Sequence, residues 1–444
     1  MIHICLDKKR SMSIHLHSSF NKYVQNLKQI KILYGLKEVT VTPLFSDAVP
    51  EDKCCLTLDV INILDIPISS PYEVKFDKNK MIIGPYIGIL AGVTNEEVRK
   101  SIPSLSIYIK HYKKIGGTII AFSLEGVDLE KQTITGLIFD PKSKNWMEGI
   151  FSYPSSVFSI VETSLTENWS IYLKTMEHFH QKLGKRVFNY PNFDKWQMYQ
   201  LLKGKLHQNL PETVIYSEPE DVRKLLNENN PLYIKPINGR LGKYVLQVTR
   251  IPSGVIVRYG RHSKRVQHFK SWRKLRKHLS ILLKKDSYLV QQAIDLVTFN
   301  NQIIDFRIIL VKNSHGNWEN IGAFARYGMK DSIVSNITAG GKAEIGATTL
   351  KTVFHLTKGE TINLVNRINH LIIHAIAILE ENGYHLGNLG FDIGIDKNGK
   401  VWIIEINNQN PDHYIAVKAN KRNILYQAKL TNILYAKTLS MSNH

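Results

Sequence analysis

The chain has 444 residues, of which 43% are hydrophobic and 22% are charged. This length and composition predict a globular protein of several domains and exclude a disordered or fibrous chain. Three cysteines are too few for a disulfide framework, no apolar run approaches the ~20 residues of a membrane span, and no signal sequence is recognisable. We therefore expect a cytoplasmic protein with reduced cysteines and no membrane partner. The net charge of +20 favours anionic partners.

Residues 1–85 contain short segments in which apolar and polar residues alternate, at 13–17 and at 55–59. Such alternation is typical of strands that are buried on one face. Each segment is followed by an amphipathic run and then by further strand-like residues, which indicates a duplicated unit of about forty residues. The pattern predicts a small β-rich N-terminal domain, either a barrel or a pair of hairpins.

Residues 86–189 are predicted to form a second domain of the α/β class. An apolar strand at residues 82–90 leads into a helical stretch at 96–115 and then into a second apolar strand at 118–122. This order predicts a βαβ unit with a parallel sheet. The glycines around it lack the Gly-x-Gly-x-x-Gly spacing of a dinucleotide site, so we expect them to serve turns and close packing.

Residues 190–444 are predicted to form a third, larger domain. Helical patterns at 194–202 and 218–226 precede a short strand at 232–235 and a long hairpin at 303–326. A long amphipathic helix follows, and its predicted apolar face consists of Ile362, Val365, Ile368, Ile372, Ile376 and Leu379. The whole chain is therefore predicted to be α/β.

The strongest chemical signal is a predicted hairpin around Asn398-Gly399, a pair suited to a type I′ turn. Counting back from the turn places Asp392 opposite Glu405, and the alternation of side chains puts Asn407 on the same face. Two carboxylates at roughly 4.5–5.5 Å repel each other unless a cation lies between them. Two carboxylates and an amide suit Mg²⁺, which proteins commonly share with substrate phosphates. The alternative is a solvated polar face with unrelated acids.

A second signal is the segment 233–243, in which Lys235 ends an apolar strand and Gly239 and Gly242 space the following loop. A lysine and several backbone N–H groups in this arrangement can bind phosphate oxygens. The loop lacks the spacing of a Walker motif, and an ordinary turn is the alternative interpretation.

A third signal lies on the hairpin strand at 303–310, where Asp305 and Arg307 share one face. An exposed ion pair between them is one interpretation. In the other, Arg307 and Arg326, which ends the partner strand, stabilise the charge of a phosphoryl group during its transfer. Asn336 is predicted to lie on a mobile loop nearby.

These motifs, in this order, resemble the ATP-grasp superfamily and in particular its YheC/YheD-type branch, which is endospore coat-associated. The resemblance covers about residues 190–436, and the segment 82–90 is similar to that branch's Gly-Pro-x-x-Gly-Ile element. It implies a two-lobed ATP-grasp domain with ATP between the lobes, preceded by the βαβ domain and the small N-terminal domain.

The resemblance also implies roles for individual residues. ATP would contact Lys195, Lys235, Gly239, Gly242, Gln291, Gln292, Ile294 and Asn336. Magnesium would be held by Asp392, Glu405 and Asn407, while Arg307 and Arg326 would be the catalytic contacts to phosphates and an acyl-phosphate. Many relatives have an acidic residue and a lysine where this chain has Gln291-Gln292, so we expect backbone contacts to adenine there.

The implied activity is ATP- and Mg²⁺-dependent, ADP-forming ligation of a carboxylate to an amine through an acyl-phosphate, with both substrates unspecified. The alternative is a nucleotide-binding, spore-coat-associated structural or assembly protein with little or no turnover. The chain departs from the family pattern at two places. Residues 158–160 read Phe-Ser-Ile where the family has a Tyr-x-Arg element, and no glycine follows Pro411. Because of these departures, the resemblance does not identify the acceptor substrate.

A basic stretch extends from Arg258 to Lys277, and no Asp or Glu occurs between Glu228 and Asp286. One interpretation is a solvated face of a small lobe over an anionic nucleotide. The other is a surface that docks an anionic polymer or spore-coat proteins. The stretch contains no nucleic-acid-binding motif.

Overall fold

The computed structural model describes residues 1–9, 11–24, 27–162, 168–239, 242–260, 265–330, 332–335, 341–411 and 413–442. These residues form one closed barrel and three sheets, with helices packed against them. The predicted α/β class is confirmed.

The N-terminal segment is a seven-stranded barrel. Its elements are β1 (Ile2–Asp7), β2 (Ser13–Leu16), α1 (Asn21–Val24), β3 (Ile30–Tyr34), β4 (Lys37–Phe45), β5 (Lys53–Thr57), α2 (Leu58–Leu64), β6 (Pro71–Asp77) and β7 (Lys80–Gly84). The strands follow the order β1-β5-β2-β4-β3-β7-β6, and β6 closes the barrel on β1. A strand, a helix and two further strands occur twice in succession, as the predicted duplication requires.

The cysteines of the barrel differ from expectation. Parallel pairing of β1 with β5 sets Cys5 opposite Cys55, with Cα atoms 4.3 Å apart, and the two form a disulfide. The expectation of three reduced cysteines is therefore wrong, because it considered sequence spacing and not the neighbouring positions that barrel closure creates. Cys54 is a buried thiol, and burial raises its pKa to about 12.

The second segment is a mixed sheet flanked by helices. Its elements are β8 (Tyr86–Gly92), α3 (Asn95–Lys100), α4 (Ile102–Tyr108), α5 (Tyr112–Ile115), β9 (Thr118–Asp128), β10 (Thr133–Asp140), β11 (Asn145–Ser152), β12 (Ser156–Ser159), α6 (Trp169–Leu183) and β13 (Val187–Phe188). The order is β11-β10-β9-β8-β12-β13, and β8 is parallel to β9, as the predicted βαβ unit requires. Three short helices replace the predicted single helix, since Pro103, the second residue of α4, has no backbone N–H with which to continue α3.

The third segment begins with a helix and an antiparallel sheet. Its elements are α7 (Lys195–Leu206), β14 (Thr213–Ile215), α8 (Pro219–Glu228), β15 (Leu232–Pro236), β16 (Leu246–Ile251), β17 (Gly254–Tyr259), β18 (Val266–Phe269), α9 (Trp272–Leu282) and β19 (Tyr288–Gln292). The strand order is β14-β19-β15-β16-β17-β18. Helices α8 and α9 bury leucines and a valine against the sheet. The sheet and these two helices together form the small lobe.

A second antiparallel sheet and its helices complete the chain. The elements are β20 (Thr298–Phe299), β21 (Gln302–Lys312), β22 (Trp318–Tyr327), β23 (Lys342–Ile345), α10 (Gly346–Val353), α11 (Lys358–Glu381), β24 (Asn388–Ile395), β25 (Val401–Asn407), α12 (Ile415–Lys418) and α13 (Arg422–Ser440). The order is β23-β22-β21-β24-β25. This sheet with α7, α10 and α11 is the large lobe, and α13 also contacts α4, β8 and β12 of the mixed sheet.

Helix α11 supplies much of the large-lobe core. Thr357 and Glu360 form a capping box at its start, and the helix ends before Asn382 and Gly383, as predicted. Its predicted apolar face is correct from Ile368 onward but wrong at Ile362, which is 50% exposed. Among the described helices, α11 alone has the length and mean hydropathy of a membrane span, properties that a core helix shares.

Candidate functional site

A cavity of about 560 Å³ is lined by the small lobe, the large lobe and the mixed sheet. The predicted site residues that line it are Lys195, Lys235, Gly239, Gly242, Gln291, Gln292, Ile294, Arg307, Arg326, Asp392, Glu405 and Asn407. Asn336 lies outside the described residues. The fold thus brings together, in one place, residues that lie up to about two hundred positions apart in the sequence.

The hairpin of β24 and β25 carries the acidic residues. Asp392 lies opposite Glu405, as predicted. Nearer the turn the register differs by one residue, because Ile395 pairs with Val401 and not with Trp402, as a two-residue turn would require. The Asp396 carboxylate accepts hydrogen bonds from the backbone N–H groups of Asn398 and Lys400, each at 2.9 Å. These bonds stabilise a turn that is longer than the predicted two-residue turn. A β-bulge next to Asp392 then restores the predicted pairing.

Asp392 is buried and its carboxylate is shared by two arginines. Arg307, opposite it on β21, donates from Nε and Nη2 at 2.5 and 3.1 Å, and Nη2 of Arg326 lies 3.1 Å from Oδ2. Burial disfavours the charged carboxylate, but the two guanidinium groups hold the pKa of Asp392 below its ordinary value. The repulsion expected between Asp392 and Glu405 is therefore relieved at Asp392 by arginines.

Arg326 is fixed by a second carboxylate. Asp305 lies opposite it across β21 and β22 and accepts from its Nε at 2.7 Å, while Ser335 Oγ donates to the same carboxylate at 2.6 Å. Burial disfavours the guanidinium charge, but Asp305 and Asp392 hold the pKa of Arg326 above its ordinary value. The proposed exposed pair of Asp305 with Arg307 is thus wrong, because each finds a buried partner on a neighbouring strand.

Lys195 connects the two lobes. It is the first residue of α7, which starts here because Asp194 caps the helix with its side chain. Its Nζ donates to the carbonyl of Ile237 at 3.3 Å and to that of Gly239 at 2.5 Å, and it lies 3.5 Å from Glu405 Oε1. Lys195 therefore links an acid of the large lobe to the loop that follows β15.

Lys235, near the end of β15, is a buried base of the cavity wall with a perturbed pKa. Burial lowers its pKa to about 8, an effect that Glu405 and Asp392 oppose and Lys195 reinforces. Among the described residues no carboxylate forms an ion pair with Lys235, and a desolvated ammonium of this kind is stabilised by an anion brought to it. This arrangement favours an anionic ligand beside Lys235.

The charges on the cavity wall point the same way. Its cationic residues are Lys195, Lys235, Lys243, Arg307, Arg326 and Lys429, and its acidic residues are Glu162, Asp305, Asp392 and Glu405. Six cationic residues against four acidic residues give the wall an excess of positive charge, which attracts anions.

On strand β19 both glutamine side chains have hydrogen-bond partners. Gln291 Nε2 donates to Thr213 Oγ1 at 2.8 Å, and Gln292 Oε1 accepts from the Glu212 N–H at 3.2 Å. Both amide side chains are thus engaged within the small lobe. The adjoining wall is largely apolar, with Tyr233, Ile294, Leu296, Ile303 and Ile404.

The donor set suits a hard cation only if a ligand completes it. Across the described ranges, no three His, Cys, Asp or Glu side chains form a group that could hold a metal ion. Asn407 donates from Nδ2 to the Gly390 carbonyl at 3.3 Å, and the same Nδ2 lies 3.5 Å from Asp392 Oδ2, so its amide oxygen is left as an acceptor. Carboxylate and amide oxygens are the donor types that Mg²⁺ takes, together with water and phosphate, but in this structure Asp392 is paired with two arginines and Glu405 lies 3.5 Å from Lys195.

Sequence reasoning missed one part of the cavity wall, which is formed by Tyr108 of α4, His413, and Lys429 of α13. Tyr108 and Lys429 are 321 positions apart and meet only because α13 packs on the mixed sheet. No short motif signals such a contact.

The basic stretch lies apart from the cavity. Its residues on and before α9 are exposed, namely Lys270, Arg273, Lys274, Arg276 and Lys277, and none of them lines the cavity. Arg261 and Lys264 lie outside the described residues. These five residues lie on the exposed surface of the small lobe, which is compatible with both interpretations of the stretch.

Comparison with known proteins identifies the family. The chain is similar to the endospore coat-associated proteins YheD and YheC of Bacillus subtilis (strain 168). It is 25% identical to YheD over 401 residues, covering 88% of this chain and 86% of YheD, and 22% identical to YheC over 339 residues, covering 73% and 90%. D-alanyl-alanine synthetase A from Vibrio cholerae O1 biovar eltor str. N16961 superposes with a TM-score of 0.44 at 10% identity, covering 78% of this chain and 98% of that one. Residues 184–439, more than half of the chain, match the family described as YheC/D like ATP-grasp. The protein therefore belongs to the YheC/D-like ATP-grasp family.

Proposed function

We propose that this protein binds Mg·ATP between the small and large lobes and uses it to ligate a carboxylate to an amine. The observation that carries the proposal is the cavity wall itself. Desolvated Lys235 faces a cavity that also holds two fixed arginines, Arg307 and Arg326, and the acids Asp392 and Glu405. Nucleotide phosphates require this combination of cations and hard oxygen donors.

The nucleotide would lie along the small lobe. Lys195 and Lys235 would bind phosphate oxygens, with the loop at Gly239 and Gly242 above them. The base would lie against the apolar wall next to β19, where the side chains of Gln291 and Gln292 are already engaged. The volume of about 560 Å³ falls within the usual range for ligand sites.

The large lobe would supply the catalytic electrostatics. Asp392, Glu405 and Asn407 would hold Mg²⁺, which when bound neutralises phosphate charge. Arg307 and Arg326 are held by buried carboxylates, so their guanidinium groups are oriented before a substrate arrives. Such preorganised charges stabilise a transition state without reorganisation during the reaction.

The proposed reaction has two steps. A substrate carboxylate oxygen attacks the γ-phosphorus of ATP, the bond to the β-phosphate oxygen breaks, and ADP and an acyl-phosphate result. An amine then attacks the acyl carbon, phosphate leaves, the amine loses a proton, and an amide forms. Positioning and charge neutralisation contribute most to such a reaction.

The alternative is a nucleotide-binding protein with a structural role and little turnover. The description of YheD and YheC as endospore coat-associated proteins favours this alternative. In that case the same cavity would bind nucleotide, and the substitutions below would change only affinity or assembly.

The test is ADP release by Glu405→Gln and wild type over a panel of amino acids, short peptides and amine-bearing cell-wall fragments. The substitution keeps the shape of the side chain and removes one charge, so we expect turnover to fall on the order of 10²–10³-fold. The matched control is Glu381→Gln, which changes an exposed glutamate of α11 and should leave turnover unchanged.

Each outcome bears on a different part of the proposal. Activity that survives Glu405→Gln undiminished means that the assignment of the magnesium site is wrong. Nucleotide binding without ADP release from any acceptor favours the structural alternative. Failure of the folded wild type to bind ATP, with or without Mg²⁺, removes the proposal altogether.

A further inference from the structure

The cavity wall contains a buried cation that is not among the predicted phosphate residues. Lys429 on α13 is only 8% exposed, and its Nζ donates to Tyr108 Oη at 3.0 Å and to Asn410 Oδ1 at 3.4 Å. It also lies 4.7 Å from the centre of the Tyr108 ring. Both hydrogen-bond partners are neutral, and among the described residues no carboxylate forms an ion pair with Lys429.

A buried charge with neutral partners is unusual, because desolvation of an ammonium is costly unless an anion compensates it. Most buried cations of this cavity, such as Arg307 and Arg326, have carboxylate partners. Lys429 lies on the same wall and lacks one. An anionic group of a ligand would supply the missing partner.

His413 provides a second, independent sign of a ligand at this part of the cavity wall. It is 1% exposed, it lies on the cavity wall, and neither ring nitrogen has a hydrogen-bond partner within the described structure. Burial, followed by the charges of Lys429 and Arg307, holds its pKa well below the ordinary value, so the ring is neutral. A neutral imidazole can both donate and accept a hydrogen bond.

Tyr108, His413 and Lys429 form one part of the cavity wall, called the Lys429 half below. The predicted phosphate residues, among them Lys235, Arg307 and Arg326, form the part called the phosphate half. Ser104 and Ile107, from the same helix α4 as Tyr108, also line the cavity.

We propose that the Lys429 half binds the carboxylate of the amine substrate, so that the acceptor is an amino acid or a peptide with a free carboxylate. This inference rests on the proposed ligase function. The carboxylate of the acyl donor loses its charge when it is activated, and it must reach Arg307 and Arg326 to do so. The acceptor keeps its carboxylate throughout the reaction, so Lys429 would remain paired from binding to product release.

The test measures binding and does not depend on turnover. Calorimetry on the full chain, saturated with Mg²⁺ and a non-hydrolysable ATP analogue, would compare the twenty L-amino acids and a set of dipeptides with their C-terminal amides. At least one free acid should bind, and its amide should bind about 10-fold or more weakly, because a charge-assisted hydrogen bond is lost.

Lys429→Met should weaken binding of that acid about 10- to 100-fold while the affinity for the ATP analogue changes by less than about threefold. The matched control is Lys421→Met, an exposed lysine directly before α13, which should change neither affinity. Tyr108→Phe keeps the ring and removes one contact of Nζ, so we expect a smaller loss of about three- to tenfold. It tests the site even if Lys429→Met fails to fold.

Equal binding of acid and amide, or unchanged binding of the acid by Lys429→Met and Tyr108→Phe, would overturn the inference. If no acid binds while the ATP analogue does, the inference fails and the nucleotide site stands. If the analogue itself does not bind, the proposed function fails first.

Discussion

Lys235 offers the sharpest test of the nucleotide site, because its charge state should depend on whether a ligand is present. Burial gives its ammonium a pKa of about 8 in the free protein, against an ordinary value of 10.5. Phosphate oxygens beside it would favour the charged form and raise the pKa again. Binding of ATP above pH 8 should therefore be accompanied by uptake of a proton.

The sign and size of the effect follow by linkage. Below pH 8 Lys235 is charged with or without ATP, so affinity should not change through this group. Above pH 8 the free protein loses the proton and the complex keeps it, so affinity should fall by up to about tenfold for each pH unit. Lys235→Met should weaken binding by roughly 10- to 100-fold at pH 7, as expected for a hydrogen bond to a charged group, and should abolish the decline above pH 8.

The assay is calorimetric titration of Mg·ATP from pH 7 to 9.5, in two buffers whose ionisation enthalpies differ, so that proton uptake is measured directly. Lys284→Met, an exposed lysine of the small lobe, is the matched control and should retain the pH dependence of the wild type. An affinity of the wild type that is flat across this range, or a decline that persists in Lys235→Met, would refute the reasoning.

Two further predictions concern other parts of the chain. Asp392→Asn leaves buried Arg307 without its carboxylate and should lower the free energy of unfolding by about 3–5 kcal/mol in urea titration. Glu381→Gln, which breaks an exposed pair, should cost only about 0–1 kcal/mol, and equal costs would contradict the buried network. Charge reversal of Arg273 and Arg276 together should leave ATP affinity within a few-fold, since neither lines the cavity. Binding to polyphosphate, followed by fluorescence anisotropy against salt, should weaken and lose about one unit of salt slope for each contact removed. A large loss of ATP binding would place these arginines in the nucleotide site.

The parts of the site that could be predicted depend on local chemistry. The end of β15 at Lys235 and the hairpin that pairs Asp392 with Glu405 both follow from residues within about fifteen positions of one another. Even there the register near the turn was wrong, because the Asp396 side chain holds the backbone in a longer connection. Turn propensity alone does not include that competition for backbone N–H groups.

The ion pairs show where local reasoning fails. Asp305 and Arg307 lie two residues apart on one strand face, and the sequence suggests that they pair with each other. Each instead pairs with a residue of an adjacent strand. In the order β22-β21-β24, Arg326 of β22 lies opposite Asp305, and Asp392 of β24 lies opposite Arg307. Directly opposed residues lie closer than neighbours along one face. Partner choice thus requires the strand order, which no short motif encodes.

The same distinction separates the two halves of the cavity. The phosphate half is built largely from motifs whose residues can be recognised in the sequence, as Lys235 and the acidic hairpin were. The Lys429 half is built from packing of α13 on α4, so its chemistry depends on which residues happen to meet at a contact between distant segments. If the proposed acceptor site is correct, substitutions at Tyr108 and Lys429 would change the acceptor without disturbing the nucleotide site. We accordingly expect members of this family to retain the phosphate half while differing in the residues that meet at the α4–α13 contact, and hence in substrate.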